Sequence, residues 1–266
     1  MLLERILSAV LGIPVLIYLS YEGKYIFLAG IVFLAMAGLR ELCSIMVRMN
    51  LKTHPLLIYG SGILFPFLAF FAPSSREHEL LLTGLTIYLL IHLIALIITF
   101  PRHTLGDSAS SFLGGCYVSL LLSYLILIRK MNSFGFPYLL FVFIVTWACD
   151  TGAYFAGRLW GRRHLWRNLS PKKTLEGTAG GLVLSIGAAF LFQLFYPLFS
   201  YLSTFFLGLL IGIFVQLGDL VESAIKRLGK VKNSGELIPG HGGILDRFDS
   251  LLFSAPITYL YLKFFI

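Results

Sequence analysis

Charge is what this sequence lacks. Only 13% of its 266 residues are Asp, Glu, Lys or Arg while 58% are apolar, and a soluble domain carries about a quarter charged residues. One soluble core could not bury such an excess, so a bilayer is the solvent for most of the chain. Cysteine is scarce as well. Cys43, Cys116 and Cys149 offer neither a disulfide framework nor a metal-ligand spacing, and read as small hydrophobic residues. No soluble basic domain exists to turn the net charge of +8 on nucleic acid, which removes that class of partner. The opening MLLERILSAVLGIPVLIYLS lacks a small-residue cleavage site and reads as a retained helix.

What is present is a series of apolar runs. Nine spans are expected, near 6–20, 25–39, 56–72, 80–100, 111–128, 138–156, 179–198, 202–217 and 250–266. The fold class is therefore an all-α polytopic membrane protein, with residues 1–266 forming a single membrane domain. Nine crossings leave all but five of the 21 lysines and arginines on one side, the exceptions being Lys24, Arg76, Arg129, Lys130 and Lys263. Basic loops stay in the cytoplasm. The expectation is an N-terminus inside, a C-terminus outside, and a place in the cell (inner) membrane. Membrane lipids are partners through the same basic loops.

The acids are distributed unevenly. Of five aspartates, only Asp107 lies in the first half; Asp150, Asp219, Asp246 and Asp249 lie in the second. Residues 1–135 accordingly read as scaffold helices and 136–266 as the catalytic half. In VQLGDLVESAIKRLGK, a helix sets Asp219, Glu222, Ser223 and Lys226 on one face, with Arg227 beside them. Such a row at a membrane boundary is costly unless paired or used; a solvated amphipathic helix is the plainer account.

Next comes GELIPGHGGILDRFDS. Pro239, Gly240, Gly242 and Gly243 bracket His241 in a predicted tight turn whose backbone N–H groups suit phosphate oxygens. Asp246 and Asp249 follow at the start of the last helix, with Arg247 between them. Capping explains one acid there but not both. Hard cations such as Mg²⁺ bind through one or two carboxylates plus substrate phosphates, a role that suits Asp219 and Asp246. Lys226, Arg227, His241 and Arg247 would neutralise phosphate charge; His241 serves equally well as a structural turn residue. The parts are those of phosphoryl or nucleotidyl transfer.

Upstream, WACDTGAYFAGRLWGRR sets Asp150 and Tyr154 on one helix face, with Arg158 after them. SPKKTLEGTAGG then supplies Lys172, Lys173, Thr174, Glu176 and Thr178 in a loop before a helix, where a polyphosphate can sit. The order G-x-x-x-x-G-K-[ST] is absent, so this is no Walker loop.

These segments match a family. The run from Ser223 to Asp249 (SAIKR, then KNSG, then IPGHGGILDRFD) resembles the signature of the phosphatidate cytidylyltransferases, or CDP-diacylglycerol synthases. CDTGAYFAGR and SPKKTLEGT resemble the bacterial branch. The motifs cover roughly residues 147–250. The resemblance implies that phosphatidic acid and CTP give CDP-diacylglycerol and pyrophosphate, with Mg²⁺ alone or with a second cation. It implies metal on Asp219 and Asp246 with Asp249 near, a phosphate-facing set of Ser223, Lys226, Arg227 and His241, and phosphate contacts from Lys172 and Lys173. One position departs: the family usually has Lys-Asp where this sequence has Lys232-Asn233, so Asn233 is left out of the metal set.

Three rival readings differ from this one in product or pattern. A CTP-dependent polyprenol-type kinase would release CDP instead of pyrophosphate. A CDP-alcohol phosphotransferase needs D-x-x-x-D, which the D-x-x-D of Asp246 and Asp249 does not supply. An anion or lipid transporter would show paired halves with interrupted helices, unlike a plain front and a charged back. Gly208 and Gly212 have the spacing of a helix-packing face, for use within the monomer or across a homodimer.

Overall fold

The computed structural model describes residues 2–167, 169–237 and 242–266. Its elements are α1 (Leu2–Glu22), α2 (Lys24–Arg48), α3 (Pro55–Phe71), α4 (Glu77–Thr99), α5 (Leu105–Gly115), a π-helical turn (Cys116–Leu120) and α6 (Leu121–Lys130). These are followed by α7 (Gly135–Trp160), β1 (His164–Trp166), β2 (Ser170–Thr174), α8 (Leu175–Phe195), α9 (Tyr201–Leu228) and α10 (Leu245–Phe265). Each expected apolar span falls mainly on helix, although 179–198 runs past the end of α8 at Phe195. By length and composition, six stretches are able to cross a membrane: α2, α4, the continuous Leu105–Lys130, α7, α8 and α9. The protein is thus a multi-pass helical membrane protein. α3 has 17 residues, short of the ~20 that a perpendicular crossing takes.

The chain divides into two compact units, Met1–Ser133 with Leu228–Arg247, and Phe134–Arg227 with Phe248–Ile266. In the first unit, the cations ending α6 close other helices. Arg129 donates to the carbonyls of Ser20 (2.6 Å) and Tyr21 (2.9 Å) at the end of α1. Lys130 donates to the carbonyls of Ala69 (2.8 Å) and Ala72 (2.7 Å) at the end of α3, and lies 3.8 Å from Glu77. Cations at helix C-termini satisfy orphan carbonyls and oppose the dipole. Two of the five basic residues outside the main basic group therefore serve packing. Gly23, at φ +64°, makes the tight turn before α2, where a Cβ would stand 2.8 Å from the Arg129 guanidinium. A capping box starts α5: Thr104 Oγ1 accepts from the Asp107 N–H at 3.2 Å, and Asp107 accepts from the Thr104 N–H at 2.8 Å.

In the second unit, α7 and α8 approach through small residues. A Cβ on Gly152 would stand 2.6 Å from the Gly180 carbonyl oxygen, and one on Gly177 would stand 2.9 Å from that of Ala153. Gly208 of α9 packs on Ala189 and Ile186 of α8, so this small-residue face is used within the chain. In membranes such close approach replaces the hydrophobic drive that lipid removes. Gly152→Val is expected to destabilise the protein by about 3 kcal/mol, since overpacking here presses on backbone that cannot rotate away. The check is the detergent-solubilised melting temperature, with Gly187→Ala, where a Cβ meets nothing within 4 Å, as the matched control.

One element departs from expectation. Between the expected spans 138–156 and 179–198 lies an antiparallel hairpin pairing His164 with Thr174 and Trp166 with Ser170, irregular in between. Neither strand alternates apolar with polar, so its periodicity was silent. The hairpin is held from its far end instead: Glu176 accepts from the N–H groups of Arg162 (3.1 Å) and Arg163 (3.2 Å).

Candidate active site

The site in the second unit is built on one close approach. A Cβ on Gly218 would stand 2.5 Å from the Asp249 carbonyl oxygen, so only glycine lets α9 lie this near α10. The next residue, Asp219, and Glu222 one turn on then face Asp249. One carboxylate oxygen from each of the three lies within 4.8 Å of the others. Glu222 is 2% and Asp249 8% exposed, whereas the Asp219 side chain is 38% exposed and opens the cluster outward. Among the described residues, this is the one group of three or more such side chains.

Two lysines balance the acids. Lys173 Nζ lies 2.7 Å from Asp219 Oδ2, brought there from β2. Lys226 pairs with Glu222 one turn earlier on α9, and both side chains are largely buried. Asp249 Oδ1 also accepts from the Ser250 N–H at 2.8 Å. The Ser250 hydroxyl in turn donates to Asp150 of α7 at 3.4 Å. Three hard oxygen donors at this spacing, with cations beside them, fit a hard divalent ion and its phosphate ligands better than any soft metal.

The other expected site residues fall in distinct places. Ser223 is buried beside Glu222 on α9. Arg227, at the end of that helix, donates to the Leu169 carbonyl at 3.3 Å and so ties α9 to the hairpin tip. Thr174 spends its hydroxyl on capping α8, accepting from the Gly177 N–H at 3.1 Å. Lys172, adjacent to Lys173 on β2, is exposed.

Asp246, Gly242, Gly243 and Arg247 belong to the first unit. There Asp246 Oδ2 accepts from the Ser234 N–H (3.0 Å), the Ser234 hydroxyl (3.1 Å) and the Gly243 N–H (2.9 Å). Gly242 has φ +90°, a conformation that favours glycine, and Asn233 packs against it. The Arg247 N–H donates to the Ile244 carbonyl at 3.0 Å in the first turn of α10. His241, with Pro239 and Gly240 of the predicted turn, lies outside the described residues.

Comparison with known proteins settles the class. The sequence profile of the cytidylyltransferase family matches residues 3–265. The phosphatidate cytidylyltransferase of Bacillus subtilis (strain 168) is 38% identical over 268 residues, 98% of each chain. The protein of that name from Staphylococcus saprophyticus is 36% identical over 259 residues, 97% of this chain and 98% of its own. That from Staphylococcus aureus (strain COL) is 34% identical over 260 residues, again 97% and 98%. The chain belongs to the cytidylyltransferase family. It is a nucleotidyltransferase, and the family expectation extends over the front helices as well as the motifs.

The expected metal set does not include Glu222, Ser234 lies in the KNSG part of the signature without an assigned role, and Glu41 carries no expectation at all. Glu222 carried a visible signal, its place in the i, i+3 row with Asp219. Glu41 carried a weaker one, an acid within the apolar run of α2.

Proposed function

We propose that this protein transfers the cytidylyl group of CTP to phosphatidic acid, giving CDP-diacylglycerol and pyrophosphate. A phosphate oxygen of phosphatidic acid attacks the α-phosphorus of CTP; the new O–P bond forms as the bond to pyrophosphate breaks. The observation that carries this reading is the carboxylate cluster of Asp219, Glu222 and Asp249 flanked by Lys173 and Lys226, in a chain similar throughout to phosphatidate cytidylyltransferases. A bound Mg²⁺, alone or with a second cation, supplies charge neutralisation and orients the reacting phosphates.

The protein's own residues do the rest. Asp219, Glu222 and Asp249 would hold the cation, and Asp246 is proposed as a further cation carboxylate on the strength of the family signature. Lys173 and Lys226 neutralise phosphate charge in this proposal, with Arg227, Ser223, Lys172, Arg247, His241 and the N–H groups of Gly242 and Gly243 kept in the phosphate set by the family signature, while the Thr174 hydroxyl stays with the α8 cap. Preorganised charge of this kind is the main catalytic resource in such reactions. The protein crosses the cell (inner) membrane nine times with the site facing the cytoplasm, where CTP is available and the basic loops are favoured.

The test follows the label. With phosphatidic acid and Mg²⁺ in detergent, α-labelled CTP is expected to mark the lipid while γ-labelled CTP marks released pyrophosphate. A polyprenol-type kinase would do the reverse, carrying the γ-label into lipid and releasing CDP. Absence of CTP-dependent pyrophosphate release would overturn the reading.

A further inference from the structure

The structure assigns Glu41, in the middle of α2, as the residue that positions the segment bearing Asp246; this rests on the proposed role of Asp246 in cytidylyl transfer. Glu41 is 5% exposed. Its Oε1 accepts from the Ile244 N–H at 2.8 Å, and its Oε2 accepts from the Leu245 N–H at 3.0 Å and the Ser234 hydroxyl at 2.9 Å. It therefore caps the start of α10 from a helix some 200 residues away in sequence (separations of 203 and 204). No lysine or arginine among the described residues pairs with it, so the positive end of the α10 dipole and the three donors carry its charge.

The same hydroxyl reaches Asp246. Ser234 Oγ lies 2.9 Å from Glu41 Oε2 and 3.1 Å from Asp246 Oδ2, and one proton serves both carboxylates. Glu41 thus touches Asp246 through Ser234 on one side and through the first turn of α10 on the other. The glycines show how tightly the segment is clamped. A Cβ on Gly235 would stand 2.6 Å from Glu41 Oε1, and one on Gly243 would collide with both Ser234 Oγ and Glu41 Oε2. Each of Glu41's partners is a donor. An amide in its place keeps one acceptor oxygen and turns an NH₂ group towards a donor.

A packing role and a positioning role predict opposite outcomes for Glu41→Gln. Packing alone favours the neutral isostere, because it removes a buried charge. Positioning requires the carboxylate. Glu41→Gln is therefore expected to fold but to speed amide exchange in the peptide 242–249 by about tenfold, the effect of losing one backbone hydrogen bond. Turnover should fall by about 10- to 100-fold, as a displacement near 1 Å would produce, and Mn²⁺ binding without substrates, read by EPR, should weaken. Glu41→Asp should retain more of all three. Wild-type exchange, turnover and Mn²⁺ binding in Glu41→Gln would overturn the assignment. If Glu41→Gln fails to fold, Glu41→Asp carries the test alone: faster exchange with slower turnover supports the role, and wild-type values in both overturn it. A wild-type protein without pyrophosphate release would overturn the proposed reaction while leaving the exchange result to judge the clamp.

Discussion

Asp219→Ala is expected to lower CTP-dependent pyrophosphate release by about 10³-fold, the loss that follows removal of one preorganised electrostatic group from a transfer site. Two effects point the same way. The substitution removes the most exposed of the three clustered carboxylates, the one best placed to share a cation with incoming phosphates. It also removes the acid that holds Lys173 at 2.7 Å, so the lysine loses its anchor. Asp219→Asn separates these contributions: the amide keeps the shape and an oxygen, but binds a divalent ion less well. Asn should shift the Mg²⁺ activation curve to higher concentration as well as reduce its plateau. Retained activity in both Asp219→Ala and Asp246→Ala would remove the metal assignment.

Lys226→Met is expected to harm both stability and turnover. Its partner Glu222 is 2% exposed, and stripping one member from a buried ion pair costs about 3–5 kcal/mol because the other charge stays buried. The same change deletes a cation beside the acid cluster, with an expected loss of about 10²-fold in turnover. Lys226→Arg keeps the charge and should restore stability more fully than activity, since a planar guanidinium is no copy of a compact ammonium. The paired measurement is melting temperature and pyrophosphate release on the same preparations. A Lys226→Met protein that melts and turns over like the wild type would show that the ion pair is dispensable. The double variant Lys226→Met with Glu222→Gln should recover much of the stability and little of the activity, which distinguishes a buried-charge penalty from a catalytic one.

Much of the candidate site was legible because its residues are neighbours on single elements. Asp219, Glu222, Ser223 and Lys226 share a helix face by spacing alone, and the ion pair between Glu222 and Lys226 is an i, i+4 contact that periodicity exposes. Lys172 and Lys173 are a pair in the sequence, but Lys172 is exposed and Lys173 is the one that meets Asp219. Thr174 suits a phosphate contact by sequence, and its hydroxyl is the α8 cap; both uses suit a threonine before a helix, and the sequence has no means to choose between them. The front of the chain has sparse acids and so little in its sequence to single out Glu41, which accepts three hydrogen bonds around the start of α10.

By itself the sequence determined the solvent, the helices and the chemistry-bearing residues. Scarce charge requires a bilayer, long apolar runs in it must be helical to satisfy their backbone, and a dense mix of acids, lysines and glycines in 216–250 marks the reacting end. The tertiary structure alone decided which acids meet. Glu222 joins Asp219 and Asp249 because Gly218 lets α9 approach α10, and Ser234 and Glu41 come together across 193 residues of chain. The reason is range: sequence periodicity reports neighbours within a turn or two, whereas the packing of one helix against another depends on which small residues coincide in space.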